Sequence, residues 1–286
     1  MGLQGAHAVL SWFAGDHAAV ASWLAHRRGM PSILVAGGAD VANMPEIGYG
    51  AMAGTFKQRL STRWSLRLAD LILPFSESVS REILAIRRPR RMVVLPLGVD
   101  TDRFTPATTK GAVVATVGNV SQSNLVRKGH RTFVEAARRV PEARFVLAGR
   151  PTDEAMGVLQ STAPPNVELP GYLSEDNLLA LYRLAKVYVQ VSAHEGFGLS
   201  LAEAMACDCV PVVTRRGSIP EVVGETGQYV PWDDAESLAK AIQTALAKPD
   251  TAGRAARERI VERYSLGRRQ ERLRSLIGEL MRRSVG

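Results

Sequence analysis

The sequence predicts an α/β chain built on parallel sheets. Short apolar runs at 187–191 and 210–213 flank a glycine-bearing turn, Glu195 to Gly198, and a helix-forming segment of Leu, Ala, Glu and Met, Leu199 to Ala206. Strand, glycine turn, helix and strand in that order form half of a parallel α/β sheet. A related pattern occurs nearer the start, where the apolar run 31–36 passes into Gly37-Gly38-Ala39-Asp40. Open α/β sheets bind ligands at such strand ends.

Length and composition bound the reading. A chain of 286 residues makes one or two domains with ample material for a core. With 46% hydrophobic and 22% charged residues it reads as a globular protein. No apolar run approaches a membrane span, and no basic start followed by a long apolar core marks a signal peptide. Cys207 and Cys209 are spaced C-x-C, unlike zinc or redox sites, and read as buried reduced thiols. A cytoplasmic location is expected on that basis. The net charge of +8 fits an anionic ligand, an anionic membrane surface or plain arginine-rich surface usage. Nucleic-acid binding is not expected, because no zinc-finger spacing or RNA-recognition signature is present and aromatic residues are only 6%.

Taken in order, strands are expected at 7–13, 31–36, 70–74 and 92–96. Between them lie a helix over 18–28, a loop at 45–50 and a basic amphipathic helix over 56–68 carrying Lys57, Arg59, Arg63 and Arg67. Ser76 should cap a helix reaching Ile86, with Glu77 in its first turn. Residues 87–91 form a basic surface loop. The second half predicts strands at 113–117 and 144–149, with helices from Gly129 to about Val140, over 174–184 and over 234–247. Residues 214–221 read as a loop. Residues 254–283 read as helical and arginine-dense.

The segment 195–203 carries the chemistry. Glycines let a ligand approach the backbone closely, and a helix N-terminus offers free N–H groups to an anion. Glu195 and Glu203 flank the turn. Glu203 sits in an apolar run, where a charge without a partner costs roughly 2–7 kcal/mol or more. It reads either as a helix glutamate beside a structural turn or as part of a sugar-nucleotide pocket. In that pocket the diphosphate lies on the helix N-terminus, with one carboxylate on each sugar.

Glu195 and Glu203 with seven residues between them, followed by Ala204-Met205-Ala206 and Pro211-Val212-Val213, resemble the donor site of retaining family-4 glycosyltransferases, the glycosyl transferases group 1. Ser218 to Gly224 resembles the next family segment, Gly98 to Phe104 the interdomain junction, and Arg127-Lys128-Gly129 the phosphate-binding lysine turn. The resemblance implies the GT-B fold, an α/β arrangement of two Rossmann-like domains facing a cleft. It divides the chain into a shortened acceptor-side domain at 1–104, a nucleotide-sugar donor domain at 105–267 and a final helix at 268–286 that crosses back to the first domain. It implies Glu195 and Lys128 as catalytic residues. Donor contacts are expected from Asn119, Arg127, Lys128, Glu195, Gly196, Phe197, Gly198, Leu199 and Glu203, with Glu203 on the ribose. Gly171-Tyr172 is expected near the base, and Gly37, Gly38 and Asp40 on the acceptor side.

Two departures stand out. Gly37-Gly38 replaces the family's histidine-glycine pair, and Asn119 stands where an arginine is usual, leaving Arg127 as the substitute cation. Asp100-Thr101-Asp102 has a metal-binding form but lies within the junction motif, so no metal and no cofactor beyond the nucleotide-sugar donor is expected. The expected activity is retaining, metal-independent hexosyl transfer to a glycan, lipid or small molecule. The alternatives are a phosphorylase- or epimerase-like reaction on the same fold, or a catalytically inactive nucleotide-sugar-binding protein or partner subunit. Only about four strands are expected before Gly98. An open sheet edge and apolar helix faces would then be covered by self-association, a partner or a membrane.

Overall fold

The computed structural model of the chain describes residues 6–285, in two compact units: 6–97 with 267–285, and Gly98–Leu266. Among the described residues no helix is long and apolar enough to cross a membrane.

The first unit holds β1 (Val9–Trp12), α1 (Asp16–Arg27), β2 (Ser32–Ala36), α2 (Phe56–Leu68), β3 (Leu71–Pro74) and α3 (Glu77–Ile86). Its sheet is parallel in the order β1-β2-β3. Every residue of β2 and β3 is buried, which explains their unbroken apolar sequences. Thr55 and Gln58 close a capping box on α2, and Ser76 Oγ accepts from Val79 N at 3.2 Å to start α3. The loop expected at 45–50 contains a short 3-10 turn, Pro45–Ile47.

The strand expected at 92–96 is reduced to one parallel bridge, Met92 to Ile72. The segment still runs beside β3, with Val93 N donating to Ile72 O and Leu95 N to Pro74 O. Pro74 has no N–H to return, so a regular ladder stops there.

Asp40 is the polar clasp of this unit. Its Oδ2 accepts from Ala14 N at 2.8 Å, and its Oδ1 accepts from Gly37 N at 3.0 Å and Gly38 N at 2.8 Å. One carboxylate thus ties the turn after β1 to the turn after β2.

The second unit runs β4 (Gly111–Val117), α4 (Gln122–Arg127), α5 (His130–Ala137), β5 (Arg144–Ala148), α6 (Ala155–Thr162), β6 (Val167–Gly171), α7 (Glu175–Leu184), β7 (Ala185–Gln190), α8 (Leu199–Ala206), β8 (Val210–Thr214), α9 (Ile219–Val223), β9 (Gln228–Val230), α10 (Ala235–Leu246) and α11 (Arg254–Tyr264). The six strands are parallel in the order β6-β5-β4-β7-β8-β9. Chain progression reverses between β4 and β7, which makes that junction the switch point of the sheet. Val114, Phe145, Val187 and Val212 meet Phe133, Leu238 and Ile242 in the core. Both cysteines are free and buried, and burial pushes both thiols up.

The segment expected to be helical over 254–283 breaks at Ser265, whose neighbours pair with Val99. Beyond it, α12 (Leu266–Val285) packs on the first unit. Glu279 pairs with Arg91, and Arg269 donates to the carbonyls of Leu95 and Pro96. Short elements that the periodicity did not show are α4, α6, α9 and β9.

Helices α1 and α2 pack on each other, and they bury Ala18, Ser22 and Ala25 of the first and Thr62, Ser65 and Leu66 of the second. Their outward stripes carry Val20, Trp23, Leu24, Phe56, Leu60 and Trp64, all exposed.

Asp40→Ala strands three backbone N–H groups and should cost about 3 kcal/mol of unfolding free energy. Urea denaturation checks this. An unchanged midpoint with an unchanged slope would show that the clasp contributes nothing.

Candidate active site

At the C-terminal ends of β4, β5 and β6 lies a cavity of about 330 Å³, lined by Val117, Gly118, Asn119, Lys128, Ala148, Gly149, Arg150, Tyr172, Leu173, Leu178 and Ser200. Its floor needs Gly118. A Cβ there would stand 2.7 Å from Lys128 Cδ, so any side chain would push the lysine off the strand end.

Lys128 is fixed at its tip. Its Nζ donates to Glu195 Oε1 at 2.8 Å, and the two side chains are 17% and 13% exposed. The same oxygen accepts from Gln190 Nε2 and from Ser192 Oγ, each at 3.0 Å. Burial opposes ionisation of Glu195, but the charges of Lys128 and Arg127 and the hydrogen bonds of Lys128 and Ser192 hold it below the usual carboxylate range. Beneath Lys128, His130 is pushed down to about 3, first by burial and then by Lys128 and Arg127. It is neutral at physiological pH and adds no charge to the site.

Glu203 lies in α8, whose N-cap is Gly198. Its partner is a neutral one: Tyr182 Oη donates to Glu203 Oε2 at 3.2 Å. Burial raises the carboxyl to about 7, and the Tyr182 hydrogen bond offsets only part of this. Tyr182 packs edge-on against Tyr188, whose hydroxyl accepts from Val117 N at 3.2 Å. Glu203 is thereby connected through packed rings to the strand end that lines the cavity.

The expected residues take unequal places. Lys128, Glu195, Asn119 and the start of α8 converge on this end of the sheet. Arg127 does not line the cavity; its guanidinium donates to Asn124 Oδ1 and to His194 O. The second cation of the cavity wall is Arg150, whose Cζ lies 5.0 Å from the Tyr172 ring centroid. Asn119 uses its backbone carbonyl to accept from Asn124 Nδ2. Gly196 and Phe197 are buried, and the Phe197 ring packs on Tyr264 at 5.4 Å, so Phe197 has only its backbone to offer a ligand. Leu199 is exposed at the first turn of α8.

Sequence reading missed Arg150, Gln190, Ser192 and Ser200. Arg150 follows the glycine after β5, in the same relation that Asn119 has to the glycine after β4. That symmetry was the available signal.

In the first unit, Gly37 and Gly38 donate to Asp40, which is buried. Its carboxylate was expected to face the acceptor, but it is fully committed to backbone N–H groups. The surface at the end of β1 is aromatic instead, with the buried Phe75 after β3 behind it. Trp12, Phe13 and Phe75 stand with ring centroids 5.9 to 6.4 Å apart. A Cβ on Gly37 would lie 2.3 Å from Phe13 Cε1. Phe13 has φ of 66°, rare for a bulky residue, and is 47% exposed. Asp100, in the metal-like motif, caps its own turn by accepting from the N–H groups of Asp102 and Arg103.

Residues 111–248 match the family described as Glycosyl transferases group 1. Alpha-maltose-1-phosphate synthase of Mycolicibacterium smegmatis is 28% identical, over 89% of this chain and 74% of that protein. Further curated relatives, at 26% and 29% identity, are matched over only 56% and 48% of their own lengths. Sucrose-phosphate synthase from Thermosynechococcus elongatus has a similar structure, with a TM-score of 0.83 at 22% identity over 96% of this chain and 74% of that one. Anabaena Alr3699/HepE in complex with UDP-glucose gives a TM-score of 0.80 at 17% identity, over 94% and 78%. The chain resembles group 1 glycosyl transferases, and its α/β fold is of the GT-B type.

The raised carboxyl of Glu203 has a measurable consequence. Between its ordinary 4.5 and about 7 the folded chain holds a proton that the unfolded chain releases, so stability falls as pH rises through this window. The upper bound on the loss is ~3 kcal/mol. In Glu203→Gln this part of the pH dependence should vanish in thermal melts taken from pH 4.5 to 8; identical profiles for both proteins would refute the assignment.

Proposed function

We propose that this chain, whose second unit matches the group 1 glycosyl transferases, moves a hexosyl group from a nucleotide-diphosphate sugar to an acceptor with retention of configuration. One observation carries the reading. Lys128 is held by a buried carboxylate over a glycine floor, at the switch point of a parallel sheet. Such a cation suits the diphosphate leaving group, whose charge grows as the glycosidic bond breaks. Arg150 and the free N–H groups at the start of α8 supply further positive potential. Tyr172 offers a ring against which a base can stack. Glu203 accepts from ribose hydroxyls, and Glu195 sets Lys128 while facing the donor sugar. With its charge met by Lys128 and Arg150, the leaving group needs no metal ion in this reading.

The nucleotide sugar as donor is supported by the UDP-glucose complex of the structural neighbour. The names of two similar proteins, maltose-1-phosphate synthase and sucrose-phosphate synthase, favour a phosphorylated sugar as acceptor. The "alpha" of the first name supports retention, because common glucosyl donors are α-linked.

The test is release of nucleoside diphosphate from a panel of nucleotide sugars, with and without sugar phosphates and with excess chelator. Turnover should survive the chelator. Lys128→Ala should lower it at least 100-fold, while free nucleoside binding changes little. Nucleotide binding without any turnover would instead identify an inactive binding protein. Loss of turnover in chelator, restored by a divalent ion, would refute the metal-free mechanism.

The exposed stripes of α1 and α2 support contact with an anionic membrane. Arg27 stacks on Trp23 and Arg67 on Trp64, which sets cations beside interfacial indoles. Flotation with vesicles of phosphatidylcholine and phosphatidylglycerol should carry the protein upward, and Trp23→Ser/Trp64→Ser should abolish this. Flotation that is equal with neutral vesicles would rule out the electrostatic part.

A further inference from the structure

A second cavity, of about 370 Å³, lies at the C-terminal ends of β8 and β9. Its wall contains two arginines seated over aromatic rings. Arg215 Cζ lies 3.8 Å from the Tyr229 ring centroid, and Arg216 Cζ lies 4.5 Å from that of Trp232. Among the described residues, neither guanidinium has a carboxylate partner. Tyr229 feels the charge of Glu225 as well as that of Arg215, but its hydroxyl donates to Gly224 O at 2.6 Å. Asp233, the next residue after Trp232, accepts from Thr132 Oγ1. Trp232 Nε1 is buried and has no hydrogen-bond partner.

A guanidinium stacked on a ring has its plane fixed and its N–H edge free, the geometry that binds phosphate in a bidentate fashion. Two such groups lining one cavity, without counter-ions, make a preorganised anion site. Arginines used only for solubility would not need their planes held by rings.

The position of the loop adds the chemistry. Thr214 Oγ1 donates to Ser192 O at 2.8 Å, and Ser218 donates to Glu195 O from both its N–H and its hydroxyl. Arg215 and Arg216 are therefore held in a loop fastened at both ends to the 192–195 segment. In the proposed function that segment bears the donor-facing Glu195. The first cavity, with Lys128 and Arg150, takes the donor diphosphate, so the second pair of cations is left for a different anion.

We propose that Arg215 and Arg216 bind the phosphoryl group of the sugar acceptor. This assignment rests on the glycosyl-transfer reading, whereas the existence of the anion site does not.

Trp232 fluorescence in the full chain tests it, with Trp232→Phe identifying its share of the signal. Inorganic phosphate should give a saturable change, and glucose 1-phosphate or glucose 6-phosphate should bind at least tenfold tighter than phosphate. R215A/R216A should weaken both at least tenfold, while Lys128→Ala should alter them less than twofold. R215K/R216K keeps the charge but loses the planar fork; it should weaken binding at least threefold, and it serves if the alanine variant fails to fold. No saturable change, or equal curves for wild type and the arginine variants, overturns the anion site. Phosphate binding without a gain from either sugar overturns the acceptor assignment. Calorimetry with UDP and GDP on the same variants separates the two readings. Nucleotide binding that persists while the phosphate response is absent refutes this site alone. A phosphate response with no nucleotide binding refutes the donor reading and leaves the anion site standing.

Discussion

The site depends on the ion pair between Lys128 and Glu195. Its partners lie 67 residues apart and meet at the junction of β4 and β7. Burying two charges costs several kcal/mol per ion, recovered only when the geometry is good and the remaining polar atoms are satisfied. Gln190 and Ser192 meet that condition by donating to the same carboxylate oxygen. The pair is therefore better understood as a positioning device than as a source of stability. Lysine has three donors, and one is spent on Glu195, so the others remain for a ligand.

The surrounding charges are arranged to keep this cation effective. His130 beneath it is neutral, because burial and two neighbouring cations drive its pKa to about 3. Arg127 is turned toward Asn124 and His194, so its charge lowers the pKa of Glu195 without lining the cavity. The two glutamates of one motif have opposite environments. Glu195, among cations, stays ionised, while Glu203, against a tyrosine in an apolar wall, titrates near neutrality. Environments that push two carboxyls apart allow them different roles.

The first unit solves a different problem. Its strand ends carry the rings of Trp12, Phe13 and Phe75, with the Arg269 guanidinium 6.0 Å from the Trp12 ring centroid. Asp40 satisfies the backbone turns from within, and Gly37 makes room for Phe13, so the surface offered there is the faces and edges of Trp12 and Phe13.

Much of this was legible in the sequence, because it depends on local chemistry. Period-two and continuous apolar runs marked β2, β3, β7 and β8. Ser76 announced the helix it caps. The spacing of Glu195 and Glu203 around a glycine turn, with Lys128-Gly129 before a helix, marked the main site. Helix α4 and strand β9 escaped notice, since so few residues cannot display a period. What only the tertiary structure decided is which side chains meet. Arg150 reaches the cavity because β5 lies beside β4, and Arg127 turns away because Asn124 and the His194 carbonyl take its donors. Asp40 is internal because two separate turns converge on it. Glu203 is paired with a tyrosine from another helix, and Arg215 and Arg216 find rings in the strand and loop that follow. Spacing along a chain records local periodicity and turn chemistry, whereas partners brought together by strand order and loop closure appear only once the sheet has formed.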